Sequence, residues 1–417
     1  MLKVGHTVNR PGRKPGDPPI AIPVPEELET VPGIPTNQRE VDWYAREYPL
    51  EAFNSIIERA STDWYRGIQG ANKQDREYFK EHQKIYRPML TAANQSGDLP
   101  PTGKATGEDV SEQIKTRARE LGFVEVGITA YDHHYSFHSS RDWVKYDHAV
   151  CLAYAQDYEL TQAIPSVAAE VARTGTNLSK GKASLELGNF IRSLGYHAQV
   201  HNAEGKGSVS IPMFVNAGLG QLGACGYLLT PHEGSRVRLT MVTTDAKVTY
   251  DQPVDYGIHA FCQVCQVCVN RCPGRALMRD KIWWRGVEKN KLYFKRCRPL
   301  MAHYTHCSVC MKVCPIQKYG MKSVMEHYAA TGQVLGKGTH DLEGFTLEDK
   351  GYFGPGEMPS FDHGFFDMPR GSSDEWAFAR LKQKVVVAGG KVSDEVLEEF
   401  KRDLTVALAR GQNNIIE

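Results

Sequence analysis

Eight of the ten cysteines in the chain lie between positions 262 and 314. They read Cys262-x2-Cys265-x2-Cys268-x3-Cys272-Pro273, then Cys297, then Cys307-x2-Cys310-x3-Cys314-Pro315. Thiols at this spacing must converge, which forces short turns on any fold that contains them. A disulfide framework or paired zinc sites would also gather cysteines. Zinc ribbons, however, use two C-x2-C knuckles and do not account for four closely spaced cysteines followed by proline. The pattern instead predicts two [4Fe–4S] clusters, because the fourth cysteine of a C-x2-C-x2-C-x3-C-P run ligates the other cluster. On that rule Cys262, Cys265, Cys268 and Cys314 hold one cluster, and Cys272, Cys297, Cys307 and Cys310 hold the second.

The chain has 417 residues, room for two or three domains at about 150 residues each. Its formal net charge is +1, from 50 basic and 49 acidic residues, so global electrostatics point to neither nucleic acid nor an anionic membrane. No apolar run approaches the roughly 18–20 residues of a transmembrane helix. The first residues carry neither an apolar signal core nor an adjacent arginine pair, which gives a cytoplasmic expectation. Cys151 and Cys225, outside the runs, are expected to remain free thiols.

The expected fold is α+β, in four parts. Residues 1–105, rich in Pro and Gly at their start, form an extension wrapped on the body. Residues 106–257 form that body. Asp109 and Glu112 have capping-box spacing ahead of Val110, Ile114, Ala118 and Leu121, with Gly122 as the stop. Strands are expected near 123–128 and 149–155, with helices at about 160–173 and 184–194, the latter stopped by Gly195. Alternation in Arg236-Val237-Arg238-Leu239 places both arginines on one face of a further strand. Residues 258–320 form the cluster domain. Residues 321–417 are expected to be irregular and aromatic up to a final helix that starts at Ser393 and carries Leu397, Phe400, Leu404 and Leu408 inward. His133, His134 and His138 are read as polar loop residues, because no acidic or cysteine partner stands at fixed spacing.

Gly218-Leu219-Gly220-Gln221-Leu222-Gly223 is not a dinucleotide fingerprint, since no helix and distant acid follow it in the required order. Its glycines allow either close approach of backbone to a large flat ligand or a tight turn. In combination with Leu228-Leu229-Thr230-Pro231, Gly234-Ser235-Arg236-Val237-Arg238-Leu239, Thr244-Asp245 and the cysteine runs, this segment resembles the corrinoid-dependent reductive dehalogenases. The resemblance covers about residues 110–320. Epoxyqueuosine reductase shares the glycine turn and cysteine arrangement but differs towards the C-terminus.

The resemblance implies a nitroreductase-like domain that holds cobalamin, with Gly218, Leu219, Gly220 and Gly223 against it, and a ferredoxin-like domain that holds the two clusters. Electrons would pass from an external ferredoxin, flavodoxin or reductase, as no flavin or NAD(P)H module is visible, to reduce an organohalide or another small molecule. Arg238 would be the active-site cation, with Arg236 as its competitor, and Asn202 the active-site amide. The family's proton-donating Tyr has no counterpart between Glu159 and Gly195. Asn177, Lys180 and Lys182 occupy that stretch, and Asn177 and Lys182 are carried as catalytic positions because a desolvated lysine can donate a proton near neutrality. A corrinoid reductase of a non-halogenated substrate, or an electron carrier without turnover, are the alternatives.

Overall fold

A computed structural model describes residues 73–136, 140–201, 207–284, 287–292 and 306–361, with 297, 300, 301 and 304 between them. Towards the C-terminus it describes 380, 384, 387, 388, 393–400, 402 and 403. The Pro-rich start of the extension, His138, Asn202, Leu404 and Leu408 lie outside the described residues.

In chain order the body contains α1 (Lys73–Gln95), α2 (Ser111–Glu120), β1 (Glu125–Ala130), β2 (His148–Ala155), α3 (Val167–Ser193), β3 (Ala198–His201), α4 (Ile211–Asn216), β4 (Gln221–Leu222), β5 (Leu228–Leu229) and β6 (Val237–Thr244). The main sheet has the order β1-β2-β6-β3, antiparallel throughout. Side chains alternate across it, as the strand period requires. Val150 and Leu152 of β2, with Val242 of β6, enter one core beneath α2 and α3; Ala149, Cys151 and Met241 enter the other, beneath α4. The fold is therefore mixed helix and sheet, with both sheet faces covered.

Two local expectations change. Asp109 and Glu112 do not form a capping box: the Asp109 carboxylate accepts from the Ser111 amide at 2.8 Å and the Thr249 hydroxyl at 2.6 Å, and these bonds hold its pKa down at about 2. Glu112 instead lies 3.5 Å from Lys115. The two helices expected at about 160–173 and 184–194 become a single turn at Tyr158–Gln162 and the 27-residue α3. Its polar, Gly-containing middle reads as a break, yet Gly181 is where α1 crosses: a Cβ there would stand 2.3 Å from Met89 Cε. The glycine permits close helix packing, and tertiary contact overrides its low helix propensity. Gly122 and Gly195 end α2 and α3 with φ of 95° and 92°, as a C′ glycine should.

The cysteine region follows as α5 (Ile258–Cys265), α6 (Val267–Asn270), the hairpin β7 (Leu277–Trp284) and β8 (Val287–Leu292), α7 (Val309–Lys312) and α8 (Pro315–Tyr319). The segment after Tyr319, expected to be irregular, forms α9 (Met321–Thr331), a turn at His340–Glu343, and the hairpin β9 (Phe345–Leu347) and β10 (Gly351–Phe353). Met321, Val324 and Met325 are the helical signal, buried at i, i+3 and i+4, with Gly332 at φ 65° closing the helix. One core joins Cys262, Cys265, Cys307 and Cys314 to Leu229 before them and to Met325, Leu342 and Leu347 after them. Fully buried Arg271 ties the two parts, donating to the carbonyls of Glu343 and Phe353 at 3.1 Å and lying 4.9 Å over the Phe345 ring. Near the C-terminus Ser393 caps a helical stretch over 394–400, accepting from the Val396 amide at 3.3 Å, and Phe400 is buried.

Candidate functional site

A cavity of about 400 Å³ opens beside β6, lined by α3, β3, the chain leading into α4, Tyr227, Ser235 and residues 237–241. The face of α3 that borders it carries Arg173, Asn177 and Lys180. Spacings of four and three residues place these side chains on one helical stripe. Lys180 is buried and donates to the Leu239 carbonyl of β6 at 3.2 Å. Lys182 is exposed and does not line the cavity. Two residues further along an α-helix means a rotation of about 200°, so Lys180 and Lys182 cannot face the same side. Asn177, one of the expected positions, is buried at the cavity wall.

Arg238 also lines the cavity, and its guanidinium is fixed by one buried acceptor. Gln156 Oε1 accepts from Arg238 Nε at 3.0 Å and Nη2 at 2.6 Å, while the Gln156 amide nitrogen donates to Thr161 at 3.0 Å. Arg236 shares the side of the strand but has another task. It pairs with Glu233, donates to the Gln156 carbonyl and lies 5.3 Å over the Tyr158 ring, and it does not line the cavity. Arg173 donates to Glu170 at 2.7 Å, and His306 approaches the same carboxylate at 3.2 Å. Burial alone would raise the Glu170 pKa; Arg173 and His306 outweigh it and bring the carboxyl to about 2.

His201 is a site residue that sequence reasoning missed. Its Nε2 meets Thr243 Oγ1 at 2.9 Å, its Nδ1 has no partner among the described residues, and it stands at the cavity wall between Tyr131 and Trp143. Burial lowers its pKa to about 3, so the ring is neutral at neutral pH. Gln156 was missed as well. Gln156 adjoins the strand expected at 149–155, whereas His201 ends β3, which was not among the expected strands. His133, by contrast, is a surface residue paired with Asp147 at 3.0 Å.

The glycine turn does not line this cavity. A Cβ on Gly218 would lie 2.6 Å from the Gln252 carbonyl oxygen, on Gly220 2.2 Å from that of Leu229, and on Gly223 2.7 Å from the Leu229 side chain. Leu219 is buried in the core under the sheet. The expected cofactor-binding residues Gly218, Leu219, Gly220 and Gly223 thus lie outside the lining of this cavity, with the chain packed close where the three glycines would carry side chains. Gly207 differs, since it lines the cavity and a Cβ there would meet nothing within 4 Å.

Among the described residues no cysteine is in a disulfide. Cys262, Cys265, Cys268 and Cys314 line one small cavity beneath Leu229 and Phe261. Cys310 neighbours Cys272, Cys297 and Cys307 electrostatically, and Cys307 neighbours Cys272 and Cys297. These are the two sets of the interlocking pattern. Left-handed backbone at Gln266, His306, Cys307 and Ser308, with φ between 42° and 64°, makes the turns around the thiols. Backbone amides point at sulfur, as in Ala276 N–H to Cys272 at 3.3 Å. Burial pushes the Cys265 and Cys307 thiols up to about 12, against the pull of the Val267 and Val309 amides. Thiolates in this core therefore call for cationic metal. Among the described residues no three His, Cys, Asp or Glu converge as a single-ion site. Four cysteines around one small cavity are the donor set that a four-thiolate group would take. Tyr227 joins the two regions: it lines the cavity and packs on the cysteine core, and burial, with Cys310 and Cys297 nearby, raises its pKa against the pull of Arg238.

No protein-family profile matches the chain. A tetrachloroethene reductive dehalogenase of Desulfitobacterium hafniense is 31% identical over 198 residues, 42% of this chain and 35% of the relative. An epoxyqueuosine reductase of Lactococcus garvieae is 31% identical over 121 residues, 26% of this chain and 32% of the relative. The solved structure of a catabolic reductive dehalogenase aligns over 82% of this chain and 54% of its own, with a TM-score of 0.60 and 21% identity. The chain is similar to reductive dehalogenases in sequence and fold, with epoxyqueuosine reductase a distant relative, and its matches span about a third of the length of each of these two curated relatives. Among the described residues no helix is long and apolar enough to cross a membrane.

Proposed function

We propose that the chain is a reductive dehalogenase-like oxidoreductase that takes electrons from an external donor through two [4Fe–4S] clusters to a cobalamin, and removes halide from an organohalide. In this reading a nitroreductase-like body holds the corrinoid and a ferredoxin-like module holds the clusters. The observation that carries it is Tyr227, which lines the cavity of Arg238 and packs on the core that holds the cysteines. A redox centre and a polar reaction site then share one wall.

Gly207, Ser208, Tyr227 and Leu228 of the cavity lining would border the corrinoid; a side chain at Gly207 would meet open space. When bound, that cofactor supplies the low-potential metal that breaks the carbon–halogen bond. The chain's own groups manage charge and proton. Arg238, oriented by Gln156, stabilises the negative charge of the departing halide. Lys180, held at the cavity by the Leu239 carbonyl, supplies the proton to carbon, the role the missing tyrosine leaves open, and Asn177 positions the substrate.

The test is anaerobic reconstitution with iron, sulfide and hydroxocobalamin, followed by EPR and an assay of bromide release from a brominated phenol. Retained corrinoid, a cobalt(II) spectrum altered by the phenol and released bromide are expected. Loss of corrinoid on gel filtration would sink the enzyme reading and leave an electron carrier, whereas corrinoid without halide chemistry would favour reduction of another bond.

A further inference from the structure

Charge is distributed unevenly along the chain. Between 258 and 320 stand twelve basic and two acidic residues, although the chain as a whole carries only +1. Cations beside iron–sulfur ligands offset thiolate charge. Even eight full thiolate charges would leave this segment positive, so its cations exceed what the cysteines need. Part of the excess lies where the first quartet meets solvent. Val264, between Cys262 and Cys265, is an exposed apolar residue. Exposed Lys337 donates to the carbonyl of its neighbour Cys265 at 2.9 Å. Its other neighbour, Gln263, donates to Asn290 Oδ1 of β8 at 3.0 Å, and the Asn290 amide donates in turn to the Arg279 carbonyl at 2.7 Å. Asn290 is also the register partner of Lys281 on β7. These bonds tie the hairpin that carries exposed Arg279 and half-buried Lys281 to the residue beside Val264.

We propose that the surface around Val264, Arg279, Lys281 and Lys337 is the docking face for a small acidic protein with a one-electron centre at its own surface. Electrons then enter at the quartet of Cys262, Cys265, Cys268 and Cys314. The assignment rests on the two-cluster reading and adds to it the partner's charge and the point of entry. An apolar centre with a cationic rim fits a partner whose acidic residues surround its redox centre. The rim steers the encounter and fixes its orientation, and the apolar contact excludes water. In each encounter the partner's centre gives up one electron and the cluster takes it. Tyr227 of the cavity packs on the small core that contains Met311, the residue after Cys310. Entry at the first quartet therefore puts the second between the docking face and the reaction site.

The experiment uses the full chain, reconstituted anaerobically with iron and sulfide, and an acidic [2Fe–2S] ferredoxin as the probe. Calorimetry gives the Kd, and stopped-flow absorbance gives the rate of cluster reduction. Raising salt from about 0.01 M, where charges act over ~30 Å, to about 0.15 M, where they act over ~8 Å, should weaken binding and slow reduction about tenfold. Arg279→Glu with Lys281→Glu should do the same at low salt. The milder Arg279→Gln with Lys281→Gln should fall between that pair and the parent, both pairs keeping the parental iron. Lys80→Glu with Lys104→Glu makes the same change of net charge at exposed lysines of the body and should leave both readings within about twofold. Reduced methyl viologen, itself a cation, should reduce the clusters of every variant at least as fast as those of the parent. Binding that ignores salt, or equal loss in both charge-reversal pairs, would overturn the proposal. Loss of iron from both the Glu and the Gln pair would overturn it too, by making Arg279 and Lys281 structural. Unchanged ferredoxin binding alongside lost retention of a stem–loop RNA would make the face an RNA site instead. A parent chain that takes up no cluster would remove the two-cluster reading itself, and the point of entry with it.

Discussion

Around the cysteines, ligands come from short helices and left-handed turns a few residues apart, and a packed core closes over them. The cavity beside β6 is assembled differently, from a helix stripe at 173–180, the end of β3, and a strand nearly sixty residues downstream of that stripe. In the first region chemistry is written into local spacing. In the second it depends on the phase of a helix and the register of a sheet, so the same kind of substitution should have different consequences in the two places.

The largest expected effect tests that division directly. Cys310→Ala should remove about half of the bound iron and abolish turnover, while leaving the corrinoid content of the reconstituted protein near that of the parent. A parallel loss of corrinoid would mean that the two regions fold as one unit. On the cavity side, Lys180→Met should reduce halide release by about 10² with both cofactors retained, as expected for loss of a general acid. The neighbouring Lys182→Met should change the rate less than about twofold, because its side chain is in water; a reversed order would return the acid role to Lys182.

A smaller effect should appear in the pH dependence of stability. His201 has a folded pKa of about 3, below its ordinary value of 6.5, so the unfolded chain binds the proton first. Its contribution is complete above pH 6.5 and is lost as pH falls towards 3. Between pH 6.5 and 5 the loss amounts to roughly 2 kcal/mol, to be measured by denaturant unfolding. His201→Gln should flatten that part of the curve, and an unchanged slope would show that the ring is protonated in the folded state.

What could be read in advance follows the same division. The cysteine sets needed only spacing, β2 stood out as an apolar run and β6 by its alternation. The middle of α3 did not, because Gly181 looks like a break until Met89 of α1 is seen lying on it. For the same reason the polar stretch around Lys180 was visible, but the phase that brings Lys180 inward and turns Lys182 outward was not. The glycine turn drew attention as a ligand contact, and only the nearness of the Gln252 and Leu229 carbonyls shows what its missing side chains make room for. Gln156 and His201 are polar residues whose importance comes from partners far away in sequence, Arg238 and Thr243.

The uninterrupted course of α3 has a consequence for how this chain can vary. Arg173, Asn177 and Lys180 face the cavity, while Ala183, Leu187 and Ile191 of the same helix face the core beneath the sheet. Inserting one residue between Lys180 and Ala183 would turn the two halves by about 100° relative to each other. Either the reaction site or the core would then lose its side chains. Length should therefore be invariant among working relatives over this span, even where most of its letters change.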